Sequence, residues 1–201
     1  MKKLLFTLII ALAAVAAGAQ EIGSYELRST TDGIKTYKIT LLQRNSGEPL
    51  LAIEVPAKHT ADAKLIIKKS DIPKFKKYLN EVLEKCMDWK LTAINNDVDD
   101  FTKVLPNIRT PKVCVSYHYG DKHCLSTDEP IRALFIYLKQ YQNVSLVLTL
   151  DGVAFDNQYI QAEVGINFVY LDDLANFINA IDLDKIEKAV KQKQVTDELF
   201  N

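Results

Sequence analysis

Residues 66–79 read "IIKKSDIPKFKKYL", and residues 168–181 read "FVYLDDLANFINAI". Each passes from an apolar pair, through a polar step with Asp, into apolar residues spaced three and four apart. At an offset of 102 residues, Asp71 aligns with Asp173, Ile72 with Leu174, Phe75 with Phe177 and Leu79 with Ile181. A strand leading into an amphipathic helix has this form whether or not the two segments share ancestry.

Downstream of the first segment, Ile72, Phe75, Leu79, Val82, Cys86, Trp89 and Ala93 recur at alternating spacings of three and four. This predicts one helix over 72–94 with a continuous apolar stripe. Ser70 or Asp71 is its expected cap, and Pro73 sits in the first turn, where a missing N–H costs nothing. Lys74, Lys77, Glu81, Glu84, Lys85 and Asp88 lie mostly off the stripe. A stripe of this length needs a sheet to cover it.

The sheet is legible on either side. "SYELRST" and "IKTYKITLLQ" flank Thr-Asp-Gly at 31–33, a hairpin signal, and "PLLAIEV" and "AKLIIKK" follow as strands. Residues 95–111, polar with two prolines, read as a connection. "KVCVSYHYGDKHCLS" (112–126) reads as a second hairpin, then "RALFIYLK", "VSLVLTLDG" and "YIQAEVGINFVYL" as strands, Gly165 marking a bulge or bend. Asp172 or Asp173 is the expected cap of a helix carrying Leu174, Phe177, Ile178 and Ile181, and a last helical piece follows Asp184.

The predicted fold class is therefore α+β. Antiparallel sheet is packed by one long amphipathic helix and a second, C-terminal one, in a pseudo-duplicated ββββα arrangement. The expected organisation is a first half at 20–94, a connection at 95–111 and a second half at 112–201, the whole of 20–201 being able to form one domain. In topology alone this order resembles the Whirly and PUR-type single-strand nucleic-acid binders. No residue motif of those families is present, so the resemblance implies no binding residue, and fold does not carry function.

The opening "MKKLLFTLIIALAAVAAGAQ" has Lys2 and Lys3 before an apolar run from Leu4 to Val15, then Ala17 and Ala19 at an A-x-A-like cleavage position. This predicts a cleaved signal peptide at 1–19 and a mature chain starting at Gln20, exported to the periplasm or beyond the cell. No later segment is apolar for long enough to span a bilayer. Without Lys2 and Lys3 the chain keeps 23 basic residues against 26 acidic ones. That balance, with export, argues against nucleic acid as partner.

The charges are unevenly placed. From Lys58 to Lys90 nine Lys face five acids, whereas Gln140 to Asp184 holds seven acids and neither Lys nor Arg. Two solvated faces of opposite sign account for this. A surface that docks a charged partner, or another copy of the chain as in a self-assembling or inhibitor-like protein, is the functional alternative. Lys68, Lys69, Lys74 and Lys77 are the candidate basic contacts. Tyr159 and Tyr170, from a second half crowded with Tyr117, Tyr119, Tyr137 and Tyr141, are candidates to stack on a peptide or glycan.

The densest chemistry is "CVSYHYGDKHC" (114–124). Cys114, His118 and His123 are ligand types for zinc, with Cys124 and Asp121 nearby. His123 and Cys124 are adjacent, so at most three of these side chains converge without a bulge. A two-residue turn at Gly120-Asp121 places Cys114 and Cys124 on opposite faces; a three-residue loop places them on one. With an odd count of three cysteines, free thiols are the favoured state.

Other chemistries find little support. No G-x-S-x-G elbow is present, and no family signature surrounds a Cys-His pair such as Cys124 with His118 or His59. Asp99-Asp100 falls in a polar connection and Asp172-Asp173 at a helix start, where the helix dipole accounts for acids. With seven Gly, no phosphate loop is available, and "DGVAFDN" and "NNDVDDF" lack calcium-loop spacing. The expected function is a non-enzymatic binding or accessory module, without a cofactor, for a protein, peptide or glycan ligand. The alternative is a metal-dependent protein or enzyme using the 114–124 hairpin.

Overall fold

Alternating strands bury one face, and a striped helix buries one side; here both meet in a shared core. The structure is a computed structural model that describes residues 19–29, 33–43, 47–58, 60–106, 108, 111–126 and 128–200. The expected signal peptide, except for Ala19, lies outside the described residues. The elements are β1 (Ala19–Ser29), β2 (Gly33–Leu42), β3 (Leu50–Glu54), β4 (Ala57–Lys58), β5 (Ala61–Lys68), α1 (Ile72–Asn95), β6 (Phe101–Val104), β7 (Lys112–Tyr119), β8 (Lys122–Leu125), β9 (Glu129–Pro130), β10 (Arg132–Leu138), β11 (Asn143–Ala154), β12 (Asn157–Phe168), α2 (Leu171–Ala180) and α3 (Leu183–Phe200).

The fold is mixed α+β with antiparallel sheets. One sheet runs β1-β2-β3-β5-β7-β8, with β9 also beside β7; the other runs β4-β12-β11-β10-β6. Strands cross between the two halves of the chain. The β7–β8 hairpin belongs to the first sheet, with Leu65 opposite Val115 and Ile66 opposite Cys114. In exchange, β4 pairs with β12 in the second sheet, and Lys58 meets Glu163 at 3.0 Å. The polar stretch 95–111 also contains a strand: β6 pairs Phe101 with Tyr137 because its ring packs on Phe135 at 5.4 Å and Tyr137 at 5.9 Å.

Helix α1 buries the predicted stripe of Ile72, Phe75, Leu79, Val82, Cys86 and Ala93, with Trp89 half-covered and edge-on to Phe135 at 5.3 Å. Tyr78, outside that stripe, is buried too. Helix α2 sets Phe177 against Tyr25 at 4.6 Å and Phe168 at 5.6 Å. Residues of both sheets and all three helices form one hydrophobic cluster.

Asp71 holds the predicted N-cap position of α1 without bonding to it, and α2 starts after Tyr170 rather than after Asp172 or Asp173. Asp71 precedes α1 with helical backbone (φ −97, ψ −9) and makes no capping hydrogen bond, its carboxylate turning to Lys74 at 3.0 Å. A capping side chain needs extended backbone to reach the free N–H groups. That conformation falls to Tyr170 before α2 (φ −129, ψ 145), leaving Asp172 and Asp173 inside the first turn.

Gly165 makes no bulge: it pairs directly with Thr149, and the irregularity lies at Val153/Ala154. The glycine that matters is Gly152. A Cβ there would stand 3.1 Å from Val115 Cβ, so its absence lets β11 pass close over β7. Replacing Phe75, fully buried on the stripe, with Ala should cost about 3–5 kcal/mol in urea unfolding. Leu91→Ala on the exposed side of α1 should change stability by less than about 0.5 kcal/mol.

Candidate functional site

Gly120, with φ of +57, allows the tight Gly120-Asp121 turn that closes β7 on β8. The register pairs Tyr119 with Lys122, His118 with His123 and Tyr117 with Cys124. Cys114 and Cys124 therefore occupy opposite faces, and all three cysteines are free and buried. Burial pushes the Cys86 and Cys114 thiols up to about 12 and raises that of Cys124. None is poised as a thiolate nucleophile.

The candidate metal residues do not converge. His118 and His123 stand opposite each other with ring centroids 5.2 Å apart. Cys114 lies four residues back along the same strand face, about 13 Å away at strand rise. Its thiol instead donates to Asp128 Oδ1 at 2.9 Å. Among the described residues no three His, Cys, Asp or Glu side chains are grouped as a metal ion requires.

Two partners that the sequence reading missed join the histidines. Ser116 Oγ and His123 Nε2 lie 2.8 Å apart, and Asp62 Oδ2 stands 3.9 Å from His118 Nδ1. Nδ1 of His118 is itself covered and has no hydrogen-bond partner. The first pairing was readable from the turn: two-residue closure puts His123 diagonally across from Ser116. Asp62 was not, because it depends on a left-handed residue (φ 53) beside a register shift in β5.

The other face of this hairpin is tied to the β11–β12 hairpin of the second sheet. The Tyr117 hydroxyl reaches the Gly152 carbonyl at 3.0 Å and that of Ile160 at 3.3 Å. Phe155 N–H donates to the Leu125 carbonyl at 3.0 Å, and Lys122 pairs with Asp156 at 2.7 Å. Ser126 and Ala154 form a further bridge. These two joined tips display Tyr119, Phe155 and Tyr159, at 50, 40 and 85 % exposure. Tyr119 and Phe155 had no distinguishing signal in the sequence beyond being aromatic near a turn.

The remaining candidates are dispersed. Tyr159 lies near the start of β12 and Tyr170 just past its other end, with about 30 Å of strand between them. The Tyr170 ring is already covered on one side by the Arg28 guanidinium, 4.8 Å from its centroid. Arg28 also holds the buried Asp173 at 2.9 Å, whose carboxyl burial pushes up despite that cation. Lys74 and Lys77 are engaged with Asp71 and Glu81 at 3.0 and 3.7 Å, Lys68 is exposed at the end of β5, and Lys69 lies in the turn before α1. The basic stretch is thus partly neutralised by its own acids.

No family model, curated protein or solved structure matches this chain.

Burial, then His118 and Lys64 nearby, hold the His123 imidazole below its ordinary value of 6.5. The folded state therefore favours neutral His123, and its contribution to stability is full above the unfolded value and lost as pH falls through it. Urea midpoints measured from pH 7.5 to 5.5 should decline more in the parent chain than in His123→Gln.

Proposed function

We propose that this chain is an exported, non-enzymatic binding or accessory module that holds a peptide, protein or glycan against the joined hairpin tips. The carrying observation is three large aromatic side chains left in water beside backbone that hydrogen bonds and an ion pair tie to the other sheet. Aromatic rings fixed on rigid elements lose little entropy when they stack on a ligand. Lys122, Asp156 and Asn157 surround them with groups that orient polar ligands. Export rests on the signal pattern at 1–19. Among the described residues no helix is long and apolar enough to cross a membrane.

One observation favours the metal-dependent or enzymatic alternative. The Ser116–His123 contact and the His118–Asp62 approach sit back to back on one face of β7–β8. Ser116 is buried, so a substrate reaches it only after the hairpin moves.

The test is a panel of glycans and peptides probed with protein recovered from the export compartment. The recovered chain should begin at Gln20. Joint Tyr119→Ala, Phe155→Ala and Tyr159→Ala should weaken ligand binding at least tenfold, at about 0.5–1.5 kcal/mol per aromatic contact, with the melting curve unchanged. Joint His118→Gln and His123→Gln should leave binding intact. The reverse pattern would move function to the histidine face.

A further inference from the structure

Helix α1 carries a second stripe. Pro73, Lys77, Asn80, Glu84, Met87 and Leu91 recur at alternating spacings of four and three, and all six are exposed. At about 100° per residue this line runs opposite the core stripe of Ile72, Phe75, Leu79, Val82, Cys86 and Ala93. It has the spacing with which one helix packs against another. Its two ends differ in chemistry. Met87 and Leu91, 52 and 58 % exposed, make the C-terminal end apolar. The N-terminal end borders an open recess of about 500 Å³, lined by Pro73, Lys77, Asn80 and Leu183, the first residue of α3, among others.

We propose that the outer side of α1 is the seat of a second copy of this chain, bound antiparallel across a twofold axis at the level of Val82. That axis sets Leu91 of one copy over Pro73 of the other, Met87 over Lys77 and Glu84 over Asn80. The apolar end of each helix enters the recess beside Pro73 and Leu183 of the other copy, with Met87 along the methylenes of Lys77. The Glu84 carboxylate falls between the Lys77 ammonium and the Asn80 amide. On one flank Asp88 faces Lys74, which within its own chain has only exposed Asp71 at 3.0 Å. Among the described residues no ion pair engages Glu84 or Asp88 within the chain. Glu81, nearest the axis, has Lys77 at 3.7 Å to offset its own counterpart. On the other flank Lys76 and Lys90 are half-buried, and Lys76 is turned to the Ile181 carbonyl at 2.8 Å rather than to Lys90.

The contact is small. From Pro73 to Leu91 the stripe is about 27 Å long at a rise of 1.5 Å per residue. One helix pair of that length lies at the low end of specific interfaces, so association is reversible, in the micromolar to millimolar range. Dilute chains stay monomeric, and there the small stability change expected of Leu91→Ala holds. The helix contact and the hairpin tips share no residue, so either holds without the other.

Sedimentation velocity on protein recovered from the export compartment reads the contact directly. The parent chain should pass from monomer to dimer as its concentration rises from micromolar to millimolar, and less readily at high salt. Leu91→Asp, Lys77→Glu and Glu84→Lys should each weaken the dimer about tenfold or more, the dilute monomers melting as the parent does. Lys77→Glu and Glu84→Lys mixed in equal amounts should dimerise again, because each copy then offers the other opposite charges at both Lys77–Glu84 contacts. So should a chain that carries both changes.

A parent chain that stays monomeric up to millimolar concentration would overturn the proposal. So would a dimer that survives Leu91→Asp and both charge changes, since another face then makes the contact. Loss of the dimer in each single variant without recovery in the mixture would reject the antiparallel register, and the proposal with it.

Discussion

The hydroxyl of Tyr117 is the point on which the two sheets depend. Its ring is fully buried in the β7–β8 hairpin of the first sheet, and its oxygen serves carbonyls on both strands of the β11–β12 hairpin of the second. Burial pushes that phenol up to about 12, so it stays a donor throughout the physiological range. Gly152 makes the approach possible by leaving out the Cβ that would meet Val115. Two sheets that share one core are thereby fixed at one end by polar bonds rather than by packing alone. The single O–H donates to the Gly152 carbonyl at 3.0 Å and shares its proton with that of Ile160 at 3.3 Å, so sliding either hairpin leaves a buried donor unpaired.

That tie anchors the backbone behind the exposed aromatic surface of the tips. Tyr119 and Phe155 lie next to backbone held by the Phe155–Leu125 bond and the Lys122–Asp156 pair, so their exposure is not the slack of a loose loop. The hairpin thus has two characters. One face joins the sheets and presents the tips; the other carries Ser116, His118 and His123 and, farther along, Cys114 in an apolar cluster separate from the main core.

Much of this was legible in the sequence where a single periodicity decided the outcome. The stripe from Ile72 to Ala93 decided α1. Strand exchange was not legible. Nothing in "KVCVSYHY" distinguishes a strand that pairs with its own half from one that pairs with β5, since register is set by long-range partners. Phe101 was lost in polar surroundings because one aromatic residue in four carries no period. The capping acids misled for a local reason: a short 3-10 turn before α1 had already made Asp71 helical. For the site, residue types at 114–124 were visible, but their convergence was not, because strand rise separates Cys114 from the histidines.

The most direct test of the account is hydrogen–deuterium exchange on Tyr117→Phe, which removes one oxygen and keeps the ring. The tie predicts a loss of about 1–3 kcal/mol in global stability, with the earliest new exchange at the 152–160 tip and at 119–122. Unchanged stability and unchanged protection at both tips would show that the sheets are held together by packing alone, and would contradict the account.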